Sequence, residues 1–431
     1  MPFENSPPRR RIAVIGAGIS GMGAAYRLSE RHDVTLIESE PRLGGHARTV
    51  MAGRYGDQAV DTGFIVFNYA NYPNMARLFA ELDVPVCKSQ MSFAASLQDG
   101  AFEYGLDNLN AMFGQRRNAL SPKYLRMLRD IVRFNAEALH AVERADMTVG
   151  ELIAALDLGD WFRDRYLLPL SGAIWSTPKE KILDFPAAAM VQFFDNHALL
   201  HHSGQHQWYT VMGGSIEYVR RLEAAMAARG VDIRLNAPVA AVRRNGQGAE
   251  VKLYGDEWMG FDEVIFATHA DDSLRLLEDP SGDERAALGQ IRYQPNDIVL
   301  HADQTVMPKR RRVWSAWNYA EAPGRRVGQI DLTYWMNALQ PIPMEDPMFV
   351  TLNSQRPIDE ARVYDHVTLR HPVYDRAMFA GQAAVRRLNG AQHTWFCGAW
   401  MRDGFHEDGL TSGLEIAAQI EAEYGLPLAA E

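Results

Sequence analysis

The sequence predicts an α/β protein of two interleaved domains, and three observations carry that prediction. An apolar run at 12–15 is followed by Gly16, Gly18 and Gly21 in G-x-G-x-x-G spacing, then by an apolar helical segment at 22–31 and a second strand ending at Glu38. A second apolar strand, ending in glycine at Gly398, runs into a closing helix at 409–424 near the far end of the chain. The length of 431 residues exceeds what one hydrophobic core ordinarily organises. Together these predict a Rossmann-like dinucleotide domain interleaved with an α+β domain.

Each part of the first stretch has a physical reason to be there. Gly16 makes the tight turn, Gly18 lets backbone approach a pyrophosphate, and Gly21 lets helix and strand pack closely. The helix that follows offers free N–H groups and the positive end of its dipole to the phosphates. Gly16, Gly18, Ser20 and Gly21 are thus candidate cofactor ligands. Glu38 lies about 20 residues beyond the glycines, where a carboxylate accepts from a ribose 2′-OH and repels the extra phosphate of NADP. A glycine-rich turn alone is weak evidence, but strand, turn, helix, strand and acid here fall in register.

Composition narrows the functional classes. Apolar content of 47% and charged content of 23% are those of a globular protein, and a net charge of −10 argues against generic nucleic-acid binding. The two cysteines, Cys87 and Cys397, form no disulfide framework and suit a reducing, cytoplasmic compartment. No apolar run reaches the length of about 20 residues needed to span a bilayer. Arg9, Arg10 and Arg11 could pass for a twin-arginine export signal, but the glycines and Glu38 explain that stretch as the first strand and helix. Residues 1–9 read as a disordered tail.

After Glu38 the chain continues Arg42-Leu43-Gly44-Gly45-His46-Ala47-Arg48-Thr49. This resembles the second signature of the flavin-containing amine oxidase superfamily, which includes protoporphyrinogen oxidases and phytoene desaturases. The resemblance implies FAD, with Arg42, Gly44, Gly45 and His46 around its pyrophosphate. It also implies a D-x-G element at Asp61-Thr62-Gly63 that brings Phe64, Phe67, Asn68, Tyr69 and Tyr72 towards the isoalloxazine ring; core aromatics beside a turn are the alternative. Met212-Gly213-Gly214-Ser215 resembles a further element of the superfamily. In relatives the valine matching Val239 meets the adenine through its backbone. The closing segment, from Gly398 through Phe405-His406-Glu407-Asp408-Gly409-Leu410, resembles the element that lays a helix N-terminus on the flavin; Gly398, Asp408 and Leu410 are expected at the cofactor.

On that resemblance the FAD domain comprises 10–89, 206–271 and 386–428, and the substrate domain 90–205 and 272–385. In the latter, Ser121-Pro122 suits a helix start. The helix beyond carries an apolar face (Tyr124, Leu125, Leu128, Ile131, Val132, Leu139) expected in the core. Arg116, Arg117, Lys123, Arg126, Arg129 and Arg133 crowd the same segment; they read as a solvated face, with a peripheral contact to an anionic membrane as the alternative. Lys309, Arg310, Arg311 and Arg312 read as solvated. The segment from Pro169 to Pro178 and the aromatics Phe185, Phe193 and Phe194 suit a pocket wall or a core. His197, His201, His202 and His206 are grouped, but no cysteine or carboxylate set accompanies them, so no metal is expected.

The sequence also departs from amine oxidases. Glu40 stands where those enzymes carry arginine, His46 replaces the arginine of their G-G-R, and Ala399 replaces an acid. No lysine matches the one they hold near flavin N5, and Phe405–Asp408 takes the place of their aromatic cage. The combination LGGH, DTGFIVFN, PLSGAIWSTP and GFHEDGL resembles a bacterial group that includes the methylated-fatty-acid desaturase of furan fatty acid synthesis. That resemblance implies a lipid acyl substrate and a lipid methyltransferase as partner. His406 and Glu407 are the candidate bases, followed by Tyr69; their alternative role is to bind flavin or cap the final helix. An FAD enzyme for an amine, porphyrinogen or polyene, and a non-catalytic flavoprotein, remain the other readings. Cys397, in an apolar strand, is expected to be an inert thiol.

Overall fold

The computed structural model describes residues 9–142, 144, 146–175, 179–197, 199–200, 206–321 and 330–425. The first strand forms at Arg11–Ile15 and its four apolar residues are buried, as a central parallel strand requires. It is flanked by Asp33–Ile37 on one side and Glu263–Phe266 on the other, all parallel. Asp232–Arg234 and Thr394–Phe396 complete a five-stranded parallel sheet. Strands from three distant stretches of sequence thus make one sheet.

Helix Ile19–Leu28 follows the first strand and packs against the last helix, His406–Glu423. Glycines set that distance. A Cβ on Gly413 would lie 2.2 Å from the Ser20 carbonyl, and one on Gly23 would lie 2.5 Å from Leu410 Cδ1. The last helix begins three residues earlier than the sequence suggests, because the Asp408 carboxylate folds back to accept from the Phe405 N–H at 2.9 Å and caps the first turn.

The second domain centres on a seven-stranded sheet. Its order is Val363–Pro372, Tyr293–His301, Phe349–Leu352, Asp331–Trp335, Trp317–Glu321, Phe93–Leu97 and Phe102–Gly105. All its pairings are antiparallel except that between Trp317–Glu321 and Phe93–Leu97. Helices between 109 and 196 cover it, among them Pro122–Ala141, whose Ser121 hydroxyl accepts from the Tyr124 N–H as its cap. The buried face of that helix is Tyr124, Met127, Asp130, Phe134 and Ala138. Leu125, Val132 and Leu139, expected in the core, are exposed instead. They recur every seven residues on the opposite stripe, so only one of the two apolar stripes is covered.

Polar contacts join the two domains. Arg48 grips Asp365 through both guanidinium ends at 2.6 and 3.0 Å. The fully buried Asp61 accepts from Ser215, Thr49 and Gln340, and burial pushes its carboxyl up to about 6 against those hydrogen bonds. Among the described residues no helix is long and apolar enough to cross a membrane.

Candidate active site

The glycine turns meet first. Gly16 has φ +98° and its N–H donates to the Ile37 carbonyl at 2.8 Å, tying the turn to the neighbouring strand. A Cβ on Gly21 would stand 1.9 Å from the Gly16 carbonyl oxygen, so this glycine is demanded by packing. A Cβ on Gly18 would meet nothing within 4 Å, which leaves open the space over the helix N-terminus. Gly18 and Gly44 form a parallel bridge, and Gly44 N–H donates to the Ala17 carbonyl. Gly45, at φ +55°, sits with its would-be Cβ 3.0 Å from Gly18 Cα. The two signatures therefore form one backbone-lined cradle.

No acid stands in the first turn of Ile19–Leu28, and no side chain caps it, so its N–H groups are left for an anion. Arg42 does not reach across this space: its guanidinium donates to the carbonyls of Gly45, Ala47 and Leu43, bracing the Gly-Gly loop from within. Ser20 is buried against the last helix, and Leu410 is an interhelical packing residue. Glu38 accepts from Ala17 N–H at 2.7 Å and Glu40 N–H at 2.9 Å. The Ala237 N–H donates to the Glu38 carbonyl, which places the 237–239 turn, and Val239 with it, beside the acid.

The other end is built from side chains. Gly398 lies at the close of the Thr394–Phe396 strand, its N–H donating to the Ser412 hydroxyl. His406 stacks on Phe64 at 4.0 Å and shares a 2.6 Å hydrogen bond with the Tyr218 hydroxyl. Burial, with His46 nearby, pushes its pKa down to about 3, so the imidazole is neutral. His46 lies 5.8 Å from His269 and 5.7 Å from His371, ring centre to ring centre. Burial lowers both of those to about 3 and lowers His46 as well. Among the described residues the Nε2 of His46 is buried without a hydrogen-bond partner, one of several such atoms. Backbone cradle, free helix end and orphaned nitrogen all fit the expected dinucleotide.

Of the other candidate bases, Glu407 is held by backbone N–H groups and Tyr69 is exposed. Glu407 is buried and accepts from the Asn74 and Met75 N–H groups, both at 2.9 Å, with Thr411 adding a third bond. It caps helix Pro73–Glu81. Tyr69 is 53% exposed, with its ring edge on Phe67 and Tyr209. Phe67, Asn68 and Tyr72 are buried, and only Phe64 of that group touches the histidine cluster.

The residue that sequence reasoning placed only at the cofactor is Asp408. Burial raises its carboxyl to about 7, opposed by the Phe405 N–H and reinforced by Asp403. It shares the wall of a cavity of about 380 Å3 with Phe405, Tyr72, His197, Asp403 and Glu407, and Asn71, Asn196 and Arg402 complete a mostly polar lining. Behind Phe405 stands an aromatic tier: Phe193 stacks on it at 4.9 Å, and Trp175 packs on Phe193 at 4.9 Å. Phe185 and Phe194 are buried in that tier, whereas residues 176–178 lie outside the described residues.

Of the grouped histidines, His201 and His202 lie outside the described residues, and His197 stacks on Phe193. His269, Asp271 and Asp272 bring ligand atoms together, but Arg370 already bonds both carboxylates. Cys397 is fully buried, its thiol pushed up to about 12.

Comparison with known proteins agrees with this construction. The carotenoid phi-ring synthase of Streptomyces griseus is 27% identical over 319 residues, 67% of this chain and 58% of its own. Protoporphyrinogen oxidase 2 of Arabidopsis thaliana is 46% identical over 55 residues, 12% of this chain and 11% of its own. The chain thus spans less than two thirds of either curated relative. Among solved structures, a putative protoporphyrinogen oxidase from Exiguobacterium sp. 255-15 superposes with a TM-score of 0.68 at 15% identity, covering 96% of this chain and 99% of that one. A fatty acid isomerase from P. acnes that produces CLA superposes with a TM-score of 0.65 at 14% identity, covering 95% and 98%. Both share the fold. The family described as flavin containing amine oxidoreductase matches residues 19–332, and the chain belongs to it.

Proposed function

We propose that this chain is an FAD-dependent dehydrogenase of an unsaturated, methyl-branched fatty acyl chain, with Asp408 as the group that takes the proton. The observation that carries this reading is the setting of Asp408: on a cavity wall beside Phe405, at the first turn of the closing helix, with its carboxyl near neutrality. A base works best when its pKa lies near the operating pH. His406, held near 3, is too weak a base, and Glu407 is engaged at a helix end.

Bound FAD would supply the two-electron acceptor for hydride. The chain's own residues do the rest. Gly16, Gly18, Gly44 and Gly45 with the helix N-terminus would hold the pyrophosphate, and Glu38 with the 237–239 turn would hold the adenosine end. His46, His269, His371 and His406 line the cleft as neutral imidazoles. Phe405, backed by Phe193 and Trp175, would give an acyl chain its apolar contact in an otherwise mostly polar lining. With FAD bound to take hydride from the allylic carbon, the Asp408 carboxylate would take the proton of the neighbouring carbon, and a conjugated diene would be left. Asp408 then returns that proton to solvent.

The acyl reading is supported by the missing lysine and cage of amine oxidases and by similar proteins named for carotenoid and fatty-acid chemistry. One observation favours an amine instead: Asp403 and Asp408 share the cavity wall and would attract a cation. Anaerobic mixing separates the two. Flavin absorbance should bleach with a methyl-branched unsaturated acyl lipid, and mass spectrometry should show the product lighter by two hydrogens. Bleaching by a diamine alone would replace the reading, and bleaching by none of these would leave a non-catalytic flavoprotein.

A further inference from the structure

Two basic runs nearly 200 residues apart in sequence meet on one hairpin. The hairpin joins strands Phe93–Leu97 and Phe102–Gly105 at the edge of the large sheet. From one side Arg117 donates to the Ala101 carbonyl and Asn118 to the Glu103 carbonyl at 3.1 Å. From the other, Lys309 reaches Asp99, and Arg310 donates to the Gly100 carbonyl at 3.2 Å and to Glu103 at 2.6 Å. A Cβ on Gly114 would lie 3.2 Å from Arg312 Cγ. Residues 114–118 and 309–312 are therefore one surface, and helix Pro122–Ala141 extends it with Lys123, Arg126, Arg129 and Arg133.

Large apolar side chains stand out of the same surface. Leu120 is 86% exposed and Leu109 73%, and Leu125, Val132 and Leu139 form the uncovered stripe of the helix. The helix carries two acids against four Lys and Arg: the buried Asp130, which pairs with Arg126 at 3.6 Å and Arg129 at 3.4 Å, and Glu137, which pairs with Arg133 at 3.2 Å. A cationic, leucine-studded face on a chain of net charge −10 is a local inversion of sign. We infer that this face docks on an anionic phospholipid bilayer, the cations meeting headgroup phosphates and the exposed leucines entering between them. Charge complementarity selects the bilayer, and the leucines separate it from a soluble polyanion, which offers nothing for them to enter. Phe134 on the inner side of this helix packs on Phe194 at 6.2 Å, next to the Phe193 that backs Phe405. The docking face thus lies on the same helical layer that walls the cavity, although docking stands whatever the substrate proves to be.

Sedimentation of the full chain with vesicles tests this. Binding to phosphatidylcholine mixed with phosphatidylglycerol should be clear at low salt, weak at high salt, and absent with phosphatidylcholine alone. Replacing Lys123, Arg126 and Arg129 together by serine should weaken binding about 10²-fold. Leu109→Ser with Leu120→Ser should weaken it about tenfold while leaving the melting temperature unchanged. No binding at low salt, equal binding to neutral vesicles, or leucine variants that bind like the parent would each overturn the inference.

Discussion

The two ends of the cleft are made of different material. The pyrophosphate end is backbone: Gly16, Gly18, Gly44 and Gly45 meet within one loop pair, and Arg42 braces it through carbonyl oxygens. The other end is side chains: His46, Phe64, Tyr218, His269, His371 and His406 arrive from separate segments of both domains. A site made of backbone needs particular residues at short spacing, so its signature is local. A site made of side chains needs only that distant segments converge.

Variants sharpen this contrast, the largest effect coming first. Gly21→Ala should fail to fold or lose more than about 3 kcal/mol, because the new Cβ overlaps the Gly16 carbonyl. Gly18→Val should melt like the parent but purify without flavin, since its side chain enters the space left for the cofactor. If both variants behave alike in melting and in flavin content, the division between packing glycine and binding glycine fails.

Next comes Asp408→Asn. Single-turnover flavin reduction should slow by about 10²-fold at full flavin occupancy. In the parent the rate should rise with pH through about 7 as the carboxyl ionises, and the variant should lose that rise. The sign for stability is opposite. Between its unfolded value and about 7 the folded state holds this proton more tightly, so the Asp408 contribution falls as pH rises. The variant should flatten that part of the melting profile, and an unchanged pH–rate profile would remove Asp408 from the reaction.

Glu407→Gln should cost about 1–2 kcal/mol of stability, since its carboxylate caps Pro73–Glu81, while reduction stays near the parent rate. A large loss of rate at full occupancy would restore Glu407 as the base. Smallest is Tyr218→Phe, which removes one hydrogen bond to His406 and should cost about 1 kcal/mol with flavin retained. An effect there as large as that of Asp408→Asn would move the proton path to the imidazole.

The legible parts share one property. Strand 12–15, the three glycines and Glu38 lie within 27 residues, and their steric demands act between near neighbours. Ser121 likewise caps its own helix, three residues away. The role of Glu407 was not legible, because the N–H groups it satisfies belong to Asn74 and Met75, more than 330 residues earlier. His371 gave no signal at all: it sits in a long strand with no motif around it. The stripe Leu125, Val132 and Leu139 has helical spacing either way, and periodicity alone does not say which stripe a neighbouring element covers.

The sequence by itself determined a dinucleotide cradle, the interleaving of two domains and the family, because those rest on local backbone geometry that few residue types permit. Only the tertiary structure decided which N–H groups each carboxylate caps, which histidines are neutral and which leucines face outward. Each of these depends on desolvation and on partners brought from distant sequence, and neither quantity is defined until the chain has folded.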